Sequence, residues 1–144
     1  MRLRPYRNND LQHILRKAHD DKYGEIGEAA TLELCTGGNT LVFEHDGIPI
    51  AILGIRKLWP GVAAIWSIIS DQIRGHGLEL TRASIAILND YAKAQEIRRY
   101  EAAVKSDIEE NGKWLTLLGF KYECTHNQAA LDGSDLDIYV RFYA

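Results

Sequence analysis

The chain has 144 residues, of which 46% are hydrophobic and 26% charged, as is typical of a folded domain and not of a disordered chain. Its formal net charge of −3 argues against a protein held on nucleic acid by a basic surplus. No stretch reaches the roughly 20 apolar residues of a membrane-spanning helix, and the charged N-terminus does not resemble a signal peptide. We therefore expect one domain spanning residues 1–144, acting in a cytoplasm without a membrane or nucleic-acid partner.

The first part of the chain predicts a strand, two short helices and a β-hairpin. Asn8, Asn9 and Asp10 offer helix-capping side chains, and apolar residues recur behind them at helical spacing. Asp46-Gly47, between two β-rich runs, predicts a two-residue hairpin turn. The predicted elements are a strand at 2–6, a helix beginning near residue 10, a helix at 25–34, and strands at 40–45 and 48–57.

The rest of the chain predicts a buried strand, a glycine-containing turn, a long helix and a further mixed region. Residues 62–70, VAAIWSIIS, are almost continuously apolar, which suits a strand in the middle of a sheet with both faces buried. Helical periodicity covers 78–95. A capping box at Ser106-Asp107-Ile108-Glu109 predicts a helix starting there and ending at Gly119. Strands are predicted at 99–105, 120–126 and 135–143.

The predicted order is β-α-α-β-β-β-α-β-α-β-β. It describes an α/β fold of the α+β type, with a central mixed sheet and helices on both faces. If the last strand, residues 135–143, lies at a sheet edge, it is a candidate for pairing with a second copy in a homodimer.

The turn between the buried strand and the long helix is the candidate anion site. The first amides of a helix have no partner within the helix, and the helix dipole favours negative charge there. Gly75 and Gly77 allow a pyrophosphate to approach the backbone closely, and Arg74 and His76 offer positive charge. The segment lacks the P-loop and Rossmann patterns. The alternative is that the two glycines only turn the chain into the helix.

The element order, the segment QIRGHG at 72–77 and the segment WLTLLGF at 114–120 resemble the Gcn5-related N-acetyltransferase (GNAT) superfamily over nearly the whole chain. In that family a Q/R-x-x-G-x-G/A loop binds the coenzyme A pyrophosphate, and the central strand splays from its neighbour and pairs with the pantetheine arm. The resemblance implies an acetyl-CoA-dependent N-acyltransferase acting on an amine of a small molecule or protein. The implied cofactor-binding residues are Ile69 and Ser70 at the pantetheine and thioester, and Gln72, Ile73, Arg74, Gly75, His76, Gly77 and Leu78 at the pyrophosphate.

Shorter signatures resemble the GNAT-like proteins of tailed phages, which include small internal virion proteins. They are Glu25-Ile26, Trp66 ahead of Ser70-Asp71-Gln72, and Lys113-Trp114-Leu115 ahead of Leu118-Gly119-Phe120. This resemblance implies an alternative function: a catalytically inactive protein with a virion-structural or host-interaction role. Its partner would be a phage virion or a host protein, and its location the virion or the host cytoplasm.

Three departures from the family's pattern concern catalysis. Leu115 stands where the family often has a general-acid Tyr on the last helix. The segment 65–68 (IWSI) lacks the Glu often found on the central strand, and Lys105-Ser106-Asp107 replaces an Asn common after the fifth strand. Cofactor binding is therefore better supported by the sequence than catalysis.

Three side chains are candidates for handling the proton of an acceptor amine. Glu25 lies in the region that covers the acceptor side in this fold, and its alternative is a solvated carboxylate at a helix start. Asp71 lies at the mouth of the proposed site, and its alternative is a turn or capping residue. Ser106 is a candidate for proton relay, with helix capping as its alternative. No metal site is predicted, because His and Cys lack ligand spacing.

Overall fold

The computed structural model describes residues 2–15, 33, 35–37 and 39–143. Seven strands form a mixed sheet in the order β1-β2-β3-β4-β5-β7-β6. The strands are β1 (Arg2–Pro5), β2 (Asn39–His45), β3 (Ile48–Trp59), β4 (Val62–Ile69), β5 (Arg99–Lys105), β6 (Lys121–His126) and β7 (Leu136–Phe142). The helices of the described residues are α1 (Asp10–Leu15), the short 3₁₀ helix η1 (Asp71–Ile73), α2 (Gly77–Gln95) and α3 (Glu109–Leu117). The predicted mixed α/β fold is confirmed; the helix predicted at 25–34 lies, apart from residue 33, outside the described residues.

The hairpin between β2 and β3 closes as the sequence predicts. His45 pairs with Ile48 across the turn. Asp46 has φ 51° and Gly47 φ 76°, so both turn residues are left-handed. This is the conformation of a type I′ turn, whose twist matches that of the flanking strands.

The strand β4 is fourth of the seven strands, as expected for the central strand. Val62, Ala63 and Ile68 are buried, whereas residues 64–67 are half-buried, so the prediction of burial on both faces holds only for part of the strand. Its parallel ladder with β5 runs from Val62↔Arg99 to Ala64↔Glu101 and ends there. Both strands continue beyond the ladder, β4 to Ile69 and β5 to Lys105.

The residues group into two compact units, Met1–Arg56 with Trp66–Leu80, and Lys57–Ile65 with Thr81–Ala144. A core of the first unit contains Leu11, Ile14, Cys35, Val42, Ile52 and Ile68, with Tyr6 and Trp66 packed against it. Gly54 leaves room for the Trp66 indole, because a Cβ at that position would overlap the indole ring. In the second unit the Tyr100 side chain is fully buried, and its hydroxyl donates to the Leu88 carbonyl oxygen at 2.8 Å.

A buried ion network joins β1, β2 and the start of α1. The Arg4 guanidinium donates to both carboxylate oxygens of Asp10 at 2.8 Å and to Glu44 Oε2 at 2.5 Å. All three residues are at most 7% exposed. Burial works against ionisation of Asp10, but the hydrogen bonds from Arg4 and from the Arg7 N–H hold the pKa of Asp10 below its ordinary value. The Arg4 hydrogen bond likewise lowers the pKa of Glu44.

The prediction that a helix starts at the Ser106 capping box is wrong. The helix α3 begins at Glu109 with Ile108 as its N-cap and no side-chain capping bond, so Ser106 is not its cap. The Ser106 hydroxyl lies ahead of the helix start at Glu109 and donates to Asp137 Oδ1 at 2.8 Å, a charge-assisted hydrogen bond.

The strand β7 is not a sheet edge, since β5 and β6 pair with it on its two sides. It therefore has no free edge on which a second copy could pair, and the homodimer stays a prediction without this route. No helix in the described part of the chain is long and apolar enough to cross a membrane.

Candidate functional site

The end of β4 is held in place by Ser70. This residue is 2% exposed, and both its N–H and its hydroxyl donate to the Ile50 carbonyl oxygen of β3 at 3.0 Å. The same hydroxyl accepts the Gln72 N–H at 3.3 Å and so caps η1. The side chain of Ser70 is therefore occupied in fixing the strand end and the start of the turn.

The turn from β4 to α2 uses some of its amides for its own structure. Three of the six amides from Ile73 to Leu78 donate within it: Ile73 to Ser70 O at 3.1 Å, Arg74 to Asp71 O at 3.3 Å, and His76 to Ile73 O at 2.8 Å. Within the described residues, the N–H groups of Gly75 and Leu78 have no acceptor. These two amides are the donors that the turn presents to a ligand.

Both glycines of the turn have open space where a side chain would stand. Gly75 has φ +85°, a left-handed conformation that favours glycine, and a Cβ there would have nothing within 4 Å. Gly77 is the first residue of α2 and is equally open. The predicted close approach of a ligand to the backbone therefore has room at both positions.

Two histidines lie side by side at the turn. The rings of His76 and His45 are 4.4 Å apart between centroids, at an interplanar angle of 44°. His76 Nδ1 is buried and has no hydrogen-bond partner in the described part of the chain, because Glu79 Oε1 is 3.8 Å away. His45 comes from the far end of β2, and sequence reasoning missed it. The one available signal was its place beside the Asp46-Gly47 turn.

Several features of the turn would suit a pyrophosphate group. The unpartnered N–H of Leu78 lies in the first turn of a 19-residue helix, whose dipole favours an anion, and that of Gly75 lies in the turn just ahead of the helix. The Gln72 side-chain oxygen is buried without a partner among the described residues, as is His76 Nδ1. Arg74 is exposed and adds positive charge. The residues present are therefore compatible with the diphosphate of a nucleotide cofactor.

The three predicted proton-handling residues have different outcomes. Asp71 is the first residue of η1, is exposed, and accepts the Arg74 N–H through its carbonyl oxygen, which fits its alternative as a turn residue. Ser106 is engaged by Asp137. Glu25 lies outside the described residues. Leu115, which the resemblance aligns with the general-acid Tyr of the family, is 3% exposed and is one of the buried residues of α3. Among the described residues, no group of three His, Cys, Asp or Glu side chains is placed to hold a metal ion.

Comparison with known proteins gives the fold. No family model matches the chain, and no curated protein matches it in sequence. Among solved structures, it is similar to a GNAT-family acetyltransferase from Bacillus anthracis, with a TM-score of 0.77, 16% identity, and coverage of 97% of this chain and 93% of that one. It is also similar to the ribosomal-protein-alanine N-acetyltransferase from Brucella melitensis, with a TM-score of 0.73, 15% identity, and coverage of 99% and 100%.

A third similar structure is that of the microcin C7 self-immunity acetyltransferase MccE in complex with acetyl-CoA and AMP. Its TM-score is 0.63 at 19% identity, covering 72% of this chain and 60% of that one. The chain therefore has the GNAT acetyltransferase fold over nearly its full length, which confirms the predicted fold. The finer resemblance to phage proteins gains no support from these comparisons.

Proposed function

We propose that the protein is an acetyl-CoA-dependent N-acetyltransferase whose cofactor binds at the turn from β4 to α2. The observation that carries the proposal is the pair of unpartnered N–H groups, Gly75 and Leu78, at the open N-terminus of α2. The fold shared with acetyltransferases supports it, including one solved with acetyl-CoA.

In this proposal the chain's own residues bind and orient the cofactor. The Gly75 and Leu78 amides hold the pyrophosphate, with Arg74 and the histidine pair adding donors nearby. The ladder between β4 and β5 ends at Ala64, which supports a pantetheine arm pairing with later backbone of β4, at Ile69. When bound, acetyl-CoA supplies the thioester carbonyl that an amine attacks.

The attacking amine must lose a proton to a base. Asp71 is the proposed base, because it follows directly on the strand end at Ser70 and is exposed. Ser106 is a weaker choice, since its hydroxyl proton is donated to Asp137. Glu25 remains a proposed acceptor-side carboxylate. The acceptor is a small-molecule or protein amine.

Gly75→Trp tests the cofactor site against a matched control. A tryptophan at 75 fills the open space before the amides, and we expect the affinity for acetyl-CoA to fall at least about tenfold by calorimetry. Gly133→Trp is the control, because Gly133 also has φ +84° and nothing within 4 Å of a Cβ. Both variants carry a similar backbone strain. Equal acetyl-CoA affinity in the two variants would show that the cofactor does not bind at this turn.

A second function, a catalytically inactive protein with a virion-structural or host-interaction role, is favoured by one observation. Leu115, buried and apolar, offers no proton at the position where the family often has a Tyr hydroxyl. The two functions separate in one assay. An active enzyme releases free thiol from acetyl-CoA in the presence of an amine panel, whereas the inactive form binds acetyl-CoA and releases none.

A further inference from the structure

A cavity of about 290 Å³ lies within the second unit, apart from any residue of the turn. It is lined by the end of β5, one side of α3, and β7. The α3 residues of its wall recur at helical spacing: Glu109, Gly112, Lys113 and Thr116. Trp114, whose indole N–H donates to Thr81 of α2 at 3.0 Å, lies on the opposite side of the helix from Gly112 and Thr116. The cavity therefore faces away from α2.

Gly112 shapes this cavity. The residue is buried, and a Cβ at its position would overlap the Tyr139 hydroxyl. Glycine thus lets the Tyr139 ring approach the helix backbone. The hydroxyl itself has no hydrogen-bond partner among the described residues. It is a donor and an acceptor on the cavity wall that the protein leaves unused.

All but one of the charged side chains that line the cavity have an oppositely charged partner. Lys105 Nζ pairs with Asp132 Oδ2 at 2.5 Å. Lys113 Nζ lies 4.0 Å from Glu109 Oε2, a weak exposed pair whose charges offset each other. Asp137 has no ion-pair partner within the part of the chain that the structure describes. A negative charge without a cation thus remains on the wall.

The carboxylate of Asp137 is also held in a fixed orientation. The hydroxyls of Ser106 and Thr125 both donate to its Oδ1, at 2.8 Å and 2.7 Å. Because the Thr125 proton is used in this way, the Tyr122 hydroxyl, 2.7 Å from Thr125 Oγ1, is the donor of that pair. Oδ2 accepts no hydrogen bond from the described residues. Such an oriented, half-satisfied carboxylate binds a charged donor more strongly than a neutral one.

We propose that this cavity binds a small organic cation with a primary ammonium group. The ammonium donates to Asp137 Oδ2 and to the Tyr139 hydroxyl, and its short alkyl part contacts Val104 and Ile108 on the apolar wall. A metal ion fits less well, because no group of three ligating side chains exists among the described residues. The cavity includes Ser106, a candidate proton-handling residue, but none of its lining residues belongs to the turn proposed to bind acetyl-CoA, so the proposal does not rest on that turn.

The test is a titration of the ¹⁵N-labelled full chain with n-butylammonium, followed by amide chemical shifts. We expect saturable shifts centred on Gly112 and Tyr139, and no saturable shift with n-butanol, the neutral molecule of similar shape. Asp137→Asn should weaken n-butylammonium binding about 10- to 100-fold, as expected for loss of a charge-assisted hydrogen bond. Tyr139→Phe, which keeps the ring, should weaken it less.

Glu110→Gln is the matched control, because it removes a carboxylate charge from an exposed position of α3 that does not line the cavity. It should leave the affinity unchanged. Equal binding of n-butanol, or equal loss in Glu110→Gln and Asp137→Asn, would overturn the proposal. Shifts that spread over the acidic surface without saturating would do the same. If Asp137→Asn does not fold, two other results together would count against the site. They are unchanged n-butylammonium affinity in Tyr139→Phe and no change in the Gly112 amide chemical shift when the parent protein is titrated.

Discussion

Replacing Arg4 by methionine should reverse the way in which stability depends on pH. The guanidinium of Arg4 is the cation shared by Asp10 and Glu44, and its side chain is only 5% exposed. Methionine fills a similar volume but removes the cation that hydrogen-bonds to both carboxylates, leaving Arg2 as the ion-pair partner of Glu44. Removing one partner of a buried ion pair costs about 3–5 kcal/mol. We therefore expect the free energy of unfolding of Arg4→Met to be lower by about that amount at pH 7, through loss of the Arg4–Asp10 pair.

The sign of the pH effect follows from the pKa shifts. In the parent protein the pKa values of Asp10 and Glu44 are lowered, so their contribution is present above the unfolded values near 4. It is lost as the pH falls below about 4, through the lower folded pKa values. Without Arg4, burial is the largest effect on Asp10 and is opposed only by Arg7, so we expect the pKa of Asp10 to rise. The variant should then gain stability relative to the parent as the pH falls from 7 towards 4.

The assay is urea unfolding at pH 7, 6 and 5, with the free energy of unfolding extrapolated to water. Arg2→Met is the matched control, because Arg2 belongs to the same strand, its side chain is 72% exposed, and it lies 3.7 Å from Glu44. Removal of this exposed partner should change stability far less. The reasoning is refuted if Arg4→Met loses no more than Arg2→Met, or if its stability falls on acidification in parallel with the parent.

Two further changes test the packing of the cores. Ser84→Ala should raise the free energy of unfolding by about 1 kcal/mol in the same urea assay. The reason is that Ser84 is 2% exposed and its hydroxyl has no partner among the described residues. A loss of stability would show that the hydroxyl is hydrogen-bonded. Gly54→Ala should lower it by about 1–3 kcal/mol, because the new methyl group overlaps the Trp66 indole. Restoration of stability in the double variant Gly54→Ala, Trp66→Leu would identify that overlap as the cause, and its absence would rule it out.

The parts of the fold that the sequence predicts are those that depend on residues close together in the chain. The Asp46-Gly47 turn needs two left-handed residues, and these are the residue types that adopt them. The apolar run of residues 62–70 marks a central strand, and helical periodicity gave the bounds of α2 to within one residue. The order of β6 and β7 in the sheet was not predictable in this way, because no local pattern states which strand lies outermost.

The parts of the site that sequence missed depend on contacts between distant residues. A capping box at Ser106 is a sound local pattern, yet the helix begins only at Glu109, and the Ser106 hydroxyl donates to Asp137, 31 residues away. His45 is brought next to His76 only by the hairpin and the turn together. Similarly, nothing in the sequence says that Gly112 faces Tyr139.

Binding of a cofactor and catalysis place different demands on a diverging sequence. The donors of the turn are backbone N–H groups, which any residue supplies once the strand end, the left-handed Gly75 and the start of α2 are kept. Such a site can persist at identities of 15–19%, the range found for the three acetyltransferases compared above. Proton transfer instead needs a particular side chain, and an apolar residue such as Leu115 cannot supply it. Acetyl-CoA affinity and amine-dependent thiol release are therefore separate measurements. Binding of acetyl-CoA without thiol release would mean that the protein retains the backbone binding site but lacks acetyl transfer.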